Sequence, residues 1–450
     1  MKNNTKENIL NKRIAFISLG CDKNRVDLEN IISLVKNAGF KTTQNLAEAN
    51  VIIINTCSFI ESARRESIET ILNMANLKQS KCEKIIVTGC LNEMNYSDLN
   101  SSLPEVDSFL RVADNKNIIK TIYNLYGVPY SETTINCNFN RVLTTPNHYA
   151  YLKISEGCNN FCSYCTIPFI RGRFVSTPME QLIYEAQELA KLGVKELILV
   201  GQDVTKYGVD IYGKQSITTL IKNLSKIEGI KWIRLLYCYP ELVDDELINE
   251  IKNNSKVVKY IDLPLQHINN NILKLMNRKT STQKILEVIK NLKTQIPNIS
   301  IRSTFILGFP GETKENFEEL LNFLKNEKLT NVGFFAYSRE EGTRAYNFEN
   351  QVSTKTKNSR VKKAYEVQRI IAENNNLNLL NSVLDVIIDE MENNYFVGRA
   401  YLSAPDVDPV VYIPVNNKNK NKIKIGNIVP IKITKVLDYD LEGELYEPTK

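Results

Sequence analysis

At 450 residues the chain exceeds the roughly 250–300 at which a single hydrophobic core stops growing, so two or three domains are expected. The 43% hydrophobic and 24% charged fractions are those of an ordinary globular protein, and there is no run of about 18 apolar residues to span a membrane. The polar start Met1-Lys2-Asn3-Asn4 lacks a secretory apolar region, so a cytoplasmic protein with no membrane partner is expected. The formal charge of +6 permits a nucleic-acid or ribosomal partner without demanding one. Nine cysteines, an odd number over a long chain, favour metal ligation over a disulfide framework.

Up to about Asn140, short apolar runs alternate with helical patterns. Arg13 to Leu19, Val51 to Ile54 and Lys84 to Val87 read as buried strands, and Asp27 to Asn37, Glu61 to Leu77 and Asn117 to Tyr126 as helices. This alternation predicts an open parallel sheet covered by helices. Cys21, Cys57 and Cys90 each fall one to three residues past the carboxyl end of a predicted strand. In an open α/β sheet the ligand crevice lies along that edge, so three residues far apart in sequence converge there. The bland alternative is three cysteines buried as small hydrophobes, the reading given to Cys82, Cys137 and Cys238. The repetition favours a shared site, a second three-thiolate cluster with one iron left open.

Between Asn136 and Asn147 the chain turns polar and reads as a linker. Beyond it, strand candidates at Tyr151 to Ser155, Glu196 to Val200, Trp232 to Tyr237, Tyr260 to Leu263, Ser300 to Leu307 and Val332 to Tyr337 alternate with helices, predicting a partial (β/α)6 barrel. The clearest helix start is Thr177-Pro178-Met179-Glu180, read as a Thr cap and capping box, with Gly193 as the stop.

The first of these strands leads into Cys158-Asn159-Asn160-Phe161-Cys162-Ser163-Tyr164-Cys165. Three soft thiolates on one short loop can hold three irons of a cubane 4Fe-4S cluster, leaving the fourth iron open to chelate a small molecule. A structural zinc site wants a fourth nearby ligand that the sequence does not offer, and a disulfide wants an oxidising compartment. Barrel active sites gather at strand carboxyl ends, so Gly201-Gln202-Asp203, Gln266-His267 and Gly308-Phe309-Pro310-Gly311-Glu312-Thr313 are candidates to face the loop. Glycine there lets backbone approach a ligand and polar side chains orient it, which singles out Gln202 and Gly308. Alone, a Gly-Pro-Gly turn is more often just a turn, and a single His near a strand end more often a satisfied structural group.

Lys355 to Leu380 reads as a long polar helix. After it, Val383 to Ile388, Tyr395 to Ala400, Val410 to Ile413, Asn427 to Lys435 and Tyr439 to Leu445 predict a small antiparallel β-barrel. From Asn381 to Lys450 eleven acidic residues stand against eight basic ones, unlike a module that neutralises phosphates. The local run of Lys418, Lys420, Lys422 and Lys424 reads as a solvated loop.

Ser18-Leu19-Gly20-Cys21-Asp22-Lys23-Asn24, Asn55-Thr56-Cys57-Ser58-Phe59-Ile60, Leu152 to Cys158, Pro264-Leu265-Gln266-His267, Arg302 to Thr313 and Asp438 to Gly443 together resemble the methylthiotransferase family of radical S-adenosylmethionine (SAM) enzymes over essentially the whole chain. The resemblance implies three domains, at 1–140, 145–378 and 379–450, the last called TRAM. The tRNA-modifying branch reads Gln-Met-Asn after the first cysteine; Asp22-Lys23-Asn24 is closer to the Pro-Lys-Asn of the branch that modifies ribosomal protein S-twelve. Asp22 and Ser58 depart from the pattern beside ligands and leave the cysteines in place. The resemblance implies two 4Fe-4S clusters, one on Cys158, Cys162 and Cys165 that cleaves SAM to a 5'-deoxyadenosyl radical, and one on Cys21, Cys57 and Cys90 that supplies a sulfur methylated by a second SAM. The product would be β-methylthioaspartate in S-twelve, with an electron donor as further partner and tRNA disfavoured. The backbone of Tyr164 would meet the adenine. The rival readings are the same chemistry on a tRNA adenosine and a non-catalytic iron-sulfur protein that docks on the ribosome.

Overall fold

The computed structural model describes residues 8–94, 96–130 and 141–448; Cys137 and the first residues of the expected linker lie outside them. The chain divides into two compact units. One comprises residues up to 144 with 156–159 and 165–174, the other 145–155, 160–164 and 175–450.

In the first unit, β1 (Arg13–Ser18), β2 (Lys41–Thr42), β3 (Val51–Thr56), β4 (Lys84–Gly89) and β5 (Ser108–Phe109) form a parallel sheet in the order β2-β1-β3-β4-β5. The central strands are apolar at consecutive positions because both faces are covered. Ile14, Val51, Ile53 and Ile86 pack with residues of α1 (Asp22–Asn37) and α3 (Ile118–Leu125), while Ala15, Ile52, Ile54, Ile85 and Val87 pack with Ile71 of α2 (Glu61–Ala75). Successive residues point to opposite faces, so each apolar run feeds two cores at once.

In the second unit, β6 (Tyr149–Lys153), β7 (Glu196–Val200), β8 (Trp232–Leu235), β9 (Val257–Gln266), β10 (Ser300–Leu307) and β11 (Asn331–Ala336) make the expected all-parallel six-stranded sheet, in sequential order. One local expectation is corrected. The helix α4 (Met179–Lys191) has Pro178, not Thr177, at its N-cap, and no side chain caps it. The Met179 N–H donates instead to the Tyr212 hydroxyl at 2.8 Å, so a tertiary partner does the work assigned to the local box. Gly193, at φ +99°, does end the helix.

After the long helix α5 (Thr354–Leu377), β12 (Val383–Glu392), β13 (Tyr395–Ala400), β14 (Val411–Pro414), β15 (Ile428–Leu437) and β16 (Asp440–Leu445) form a closed barrel in the order β12-β13-β14-β16-β15. It is not wholly antiparallel: β14 and β16 run parallel, with Val411 beside Leu441. The reason is topological. Strands alternating in direction cannot close a ring of odd number, so five strands require a parallel pair.

Within this unit the segment Arg399–Asp408 seals the amino-terminal end of the six-stranded sheet. Glu196 at the start of β7 receives Arg234 Nε at 2.7 Å and Arg399 Nη1 at 2.8 Å, and all three side chains are buried. Arg399 also holds Asp389, which pairs with His148 at 2.8 Å. Tyr260 and Arg302 both reach Asp408, and Ser300 and Asn331 donate to the Leu402 carbonyl. The opposite, carboxyl-terminal edge of the sheet is left for chemistry.

Burial pushes the Glu196 carboxyl up, but Arg399 and Arg234 outweigh it and hold it below the usual range; Asp389 is likewise held down against its burial by His148 and Arg399. A depressed folded-state pKa stabilises above the unfolded value near 4 and ceases to do so as pH falls through the folded value. Glu196→Gln should therefore destabilise the second unit by about 3–5 kcal/mol, the cost of leaving buried charge unpaired. Hydrogen exchange should also find residues 383–445 of the wild type losing protection on acidification below about pH 4, and the variant should lack the Glu196 share of that loss.

Candidate functional site

The three sequence-distant cysteines of the first unit converge. Cys21 follows β1 by three residues, and Cys57 and Cys90 come immediately after β3 and β4, at one edge of the sheet. A Cβ added to Gly20 would stand 2.7 Å from Cys57 Cβ and 2.9 Å from its sulfur, so the first turn lies directly on the second. Cys57 and Cys90 are buried and Cys21 is exposed, giving a set of sulfurs with one open side.

Asn24 ties the three turns together. Its Nδ2 donates to the Leu19 carbonyl at 2.9 Å and the Thr56 carbonyl at 3.0 Å, and its Oδ1 is 3.6 Å from Cys90 Sγ. Its own carbonyl accepts from Asn55 Nδ2 at 2.6 Å. The Cys90 N–H donates to Thr56 O at 2.9 Å, and Ser67 Oγ clasps both the N–H and the carbonyl of Cys57. Arg171 completes the cluster of groups: Nη1 binds Asp27 at 2.6 Å and Glu156 at 3.1 Å, while Nη2 binds Asn24 Oδ1 and lies 3.6 Å from Cys90 Sγ.

Burial pushes the Cys90 thiol up to about 12, with the Arg171 charge working the other way and the charges of Cys57 and Cys21 adding to the rise. Burial also raises Cys57, again with a contribution from Cys21. Cys21 thus lies within electrostatic reach of Cys57, and both within reach of Cys90, so a site that ionises all three must be paired with strong cationic charge. Among the described residues no three His, Cys, Asp or Glu side chains stand close enough to share one metal ion.

The cysteine loop at 158–165 follows β6. Gly157, at φ +71°, has no room for a side chain, since a Cβ would stand 2.1 Å from the Arg173 carbonyl oxygen, and the Cys158 N–H donates to Gly172 O at 3.1 Å. In the second unit, residues 160–164 are pinned by backbone and side chain alike. Ser163 donates from N–H to Met276 O and from Oγ to Leu275 O, and accepts from the Ala345 N–H; Asn277 Nδ2 donates to Phe161 O. Asn160 Nδ2 donates to Asp203, whose carboxyl is raised by burial against bonds from Thr205 and Asn160. Arg278, fully enclosed, lies over the Tyr239 ring at 4.1 Å and sends Nη1 toward Cys162 Sγ at 3.9 Å. No disulfide joins the eight described cysteines, and Cys82 and Cys238 are buried as expected.

Of the expected cofactor contacts, Gln202 ends up half-buried at the carboxyl edge, one residue past the Gly201 position where a Cβ would meet Ser155 Oγ at 2.5 Å. That Ser155 hydroxyl is buried without a hydrogen-bond partner, an acceptor and donor left over at the strand ends. Tyr164 packs edge-on against Phe309 at 6.4 Å, in an apolar cluster with Tyr337 and Phe348. Gly308 is glycine for an internal reason: at φ +72° its missing Cβ would stand 2.4 Å from Lys357 Cγ, and its N–H donates to Glu312 at 2.8 Å. Asp27, Arg171 and Arg278 were not singled out from sequence, and Asn24 was read only as part of Asp22-Lys23-Asn24, with no structural role. For Arg171 the available signal was the pair Arg171 and Arg173 closing the otherwise apolar stretch after Cys165.

The parallel sheets and the loop define a radical SAM enzyme, and comparison with known proteins agrees. The Radical SAM superfamily profile matches residues 152–324, an uncharacterized family, UPF0004, matches 13–111, and the TRAM domain matches 382–445. The radical SAM methyltransferase TsrM from Kitasatospora setae, solved with cobalamin and a [4Fe-4S] cluster, shares the fold at TM-score 0.55 and 12% identity, over 74% of this chain and 77% of that one. The cobalamin-dependent radical SAM enzyme OxsB follows at TM-score 0.52 and 12% identity, over 80% of this chain and 62% of that one. Sequence similarity is far closer to proteins named ribosomal protein uS12 methylthiotransferase RimO. That of Thermoanaerobacter sp. X514 is 46% identical over 96% of this chain and 100% of its own length. That of Clostridium botulinum Eklund 17B is 49% identical over 96% and 97%. The chain belongs to the RimO family of radical SAM methylthiotransferases.

If Asn24 holds the three turns in register, Asn24→Ala removes its bonds to the Leu19 and Thr56 carbonyls; Thr56 O keeps the Cys90 N–H, so the cost is about 1–3 kcal/mol, chiefly for the Leu19 carbonyl. The expected result is a lowered unfolding temperature and, after anaerobic reconstitution, iron falling from about eight toward about four per chain.

Proposed function

We propose that this protein methylthiolates the β-carbon of an aspartate in ribosomal protein S-twelve, drawing on SAM both for the radical and for the methyl group. The observation that carries the reading is the pairing of near-full-length identity of 46–49% to uS12 methylthiotransferases with two separate three-cysteine sets, each after the carboxyl end of a parallel strand. The division at 1–140, 145–378 and 379–450 goes with it, each part carrying one role.

Cys158, Cys162 and Cys165 would hold one 4Fe-4S cluster and Cys21, Cys57 and Cys90 the other, with SAM near Tyr164, Gln202 and Gly308. Bound there, the clusters and SAM supply the radical that opens an unactivated C–H bond and the methylated sulfur that replaces the hydrogen, steps outside the reach of acid-base side chains. The chain's own residues bind, orient and shield. Arg278 and Arg171 place cationic N–H donors beside Cys162 and Cys90, where thiolate charge must be carried in buried surroundings. Ser155 offers a hydroxyl to a polar ligand at the strand ends, and Ser163 and Asn277 fix the loop so that its sulfurs do not wander. The terminal domain, with eleven acidic against eight basic residues from Asn381 onward, suits a basic ribosomal protein better than tRNA. No described helix is long and apolar enough to cross a membrane. The reductant is an external one-electron donor.

The test is anaerobic reconstitution with iron and sulfide, then incubation with SAM and reductant on an S-twelve loop peptide or on tRNA. About eight irons per chain and a methylthiolated peptide are expected. Modification of tRNA alone overturns the substrate, and failure to cleave SAM leaves the non-catalytic ribosome-docking reading. Cys57→Ala should abolish sulfur insertion and spare SAM cleavage; loss of both with the loop cluster intact contradicts the division of labour.

A further inference from the structure

Arg171 has no part in the chemistry described so far except as a neighbour of Cys90, yet the structure commits it heavily. It is 8% exposed, and its two terminal nitrogens divide their work. Nη1 faces two carboxylates, Asp27 at 2.6 Å and Glu156 at 3.1 Å. Nη2 faces Asn24 Oδ1 and, at 3.6 Å, the sulfur of Cys90. The carboxylates therefore fix the plane of the fork and aim its other tooth at the sulfur, a task a flexible ammonium does less well.

The Asn24 contact makes the arrangement necessary. As a thiol, Cys90 donates to Asn24 Oδ1 at 3.6 Å. Once the sulfur is a ligand it has no hydrogen to give, and an amide oxygen would face a thiolate with nothing between them. Asn24 cannot turn its amide round, because Nδ2 is already spent on the Leu19 and Thr56 carbonyls. The guanidinium, touching both the oxygen and the sulfur, relieves that opposition. The turn it belongs to is strapped to the loop as well: the Cys158 N–H donates to Gly172 O, and Gly157 packs on the Arg173 carbonyl.

We infer that Arg171 is a positioning residue for the amino-terminal cluster: it holds Cys90 in its ligating place and, as a hydrogen-bonded cation at a ligand sulfur, raises the cluster's reduction potential, while Asp27 tempers that charge. The inference rests on the reading of Cys21, Cys57 and Cys90 as a cluster site. Hydrogen bonds to ligand sulfur and local net charge are among the levers that set such potentials. A cation favours the reduced, more negative form, so its removal lowers the potential and removal of Asp27 raises it.

The experiment uses the full chain with Cys158, Cys162 and Cys165 all replaced by Ala, so that any cluster is the amino-terminal one. Iron is counted after anaerobic reconstitution, and the potential is read by redox titration followed by electron paramagnetic resonance. The control should hold about four irons. Arg171→Met should shift the potential negative or lose iron, Arg171→Lys should return iron and bring the potential toward the control, and Asp27→Asn should shift it positive. Opposite shifts from two members of one ion pair are not what a merely structural defect produces. Loaded variants with the control's potential, or Met and Lys variants that both fail to load while circular dichroism shows them folded, overturn the proposal. A folded control that binds no iron overturns the cluster reading itself, and this proposal with it.

Discussion

The first unit depends on one side chain, the amide of Asn24. Parallel β1, β3 and β4 all end at the same edge. Backbone bonds join the turns in pairs, Leu19 N–H to Asn55 O and Cys90 N–H to Thr56 O, and Asn24 adds the tie common to all three. An amide can give two hydrogens and accept two, and Asn24 uses both sides: Nδ2 closes the Leu19 and Thr56 turns and Oδ1 addresses Cys90. The position of three sulfurs is thereby reduced to the position of one residue near the start of α1.

The second unit solves a comparable difficulty differently. Its share of the cysteine loop, residues 160–164 with Cys162, needs no gathering from distant turns but must be kept from moving. Backbone bonds from Ser163 to Met276 and from Ala345 to Ser163, with side-chain bonds from Ser163 and Asn277, do that from three sides. In both units one buried arginine approaches one cysteine sulfur, Arg171 at Cys90 and Arg278 at Cys162. Neither arginine is near its cysteine in sequence, and each comes with its own anchor, carboxylates in the first case and the face of Tyr239 in the second.

How much of this was legible follows from distance along the chain. The three long strands of the first sheet and all six of the second were readable to within a few residues, because runs such as Val51 to Ile54 carry their burial in their own composition. The two-residue β2 and β5 were missed because they are too short to show a pattern. The places of Cys21, Cys57 and Cys90 just past strand ends, and of the 158–165 loop after β6, were readable because turn position and spacing are local. The cap of α4 was misread because Tyr212, 33 residues on, outcompetes Thr177. The parallel pair in the terminal barrel was missed because it comes from ring closure, a property of five strands together and of none singly. Arg171 lies 147 residues from Asn24, and Arg399 lies 203 from Glu196. A charged residue in a sequence looks like surface until its counter-charge is known, so buried ion pairs are what sequence patterns hide best.

The sealed floor beneath the six-stranded sheet bears on how such a protein can vary. The terminal barrel reads as a separable module in sequence, with its own strands and core, yet Arg399 is a counter-ion for Glu196 inside the neighbouring sheet, and the Leu402 carbonyl satisfies Ser300 and Asn331 there. Cutting the chain before β12 would leave Glu196 with one of its two arginines and strand several polar groups at the base of β10 and β11. A lineage that dispensed with the module would first have to rewrite the sheet's lower rim in apolar residues, so independence of sequence here is not independence of inheritance.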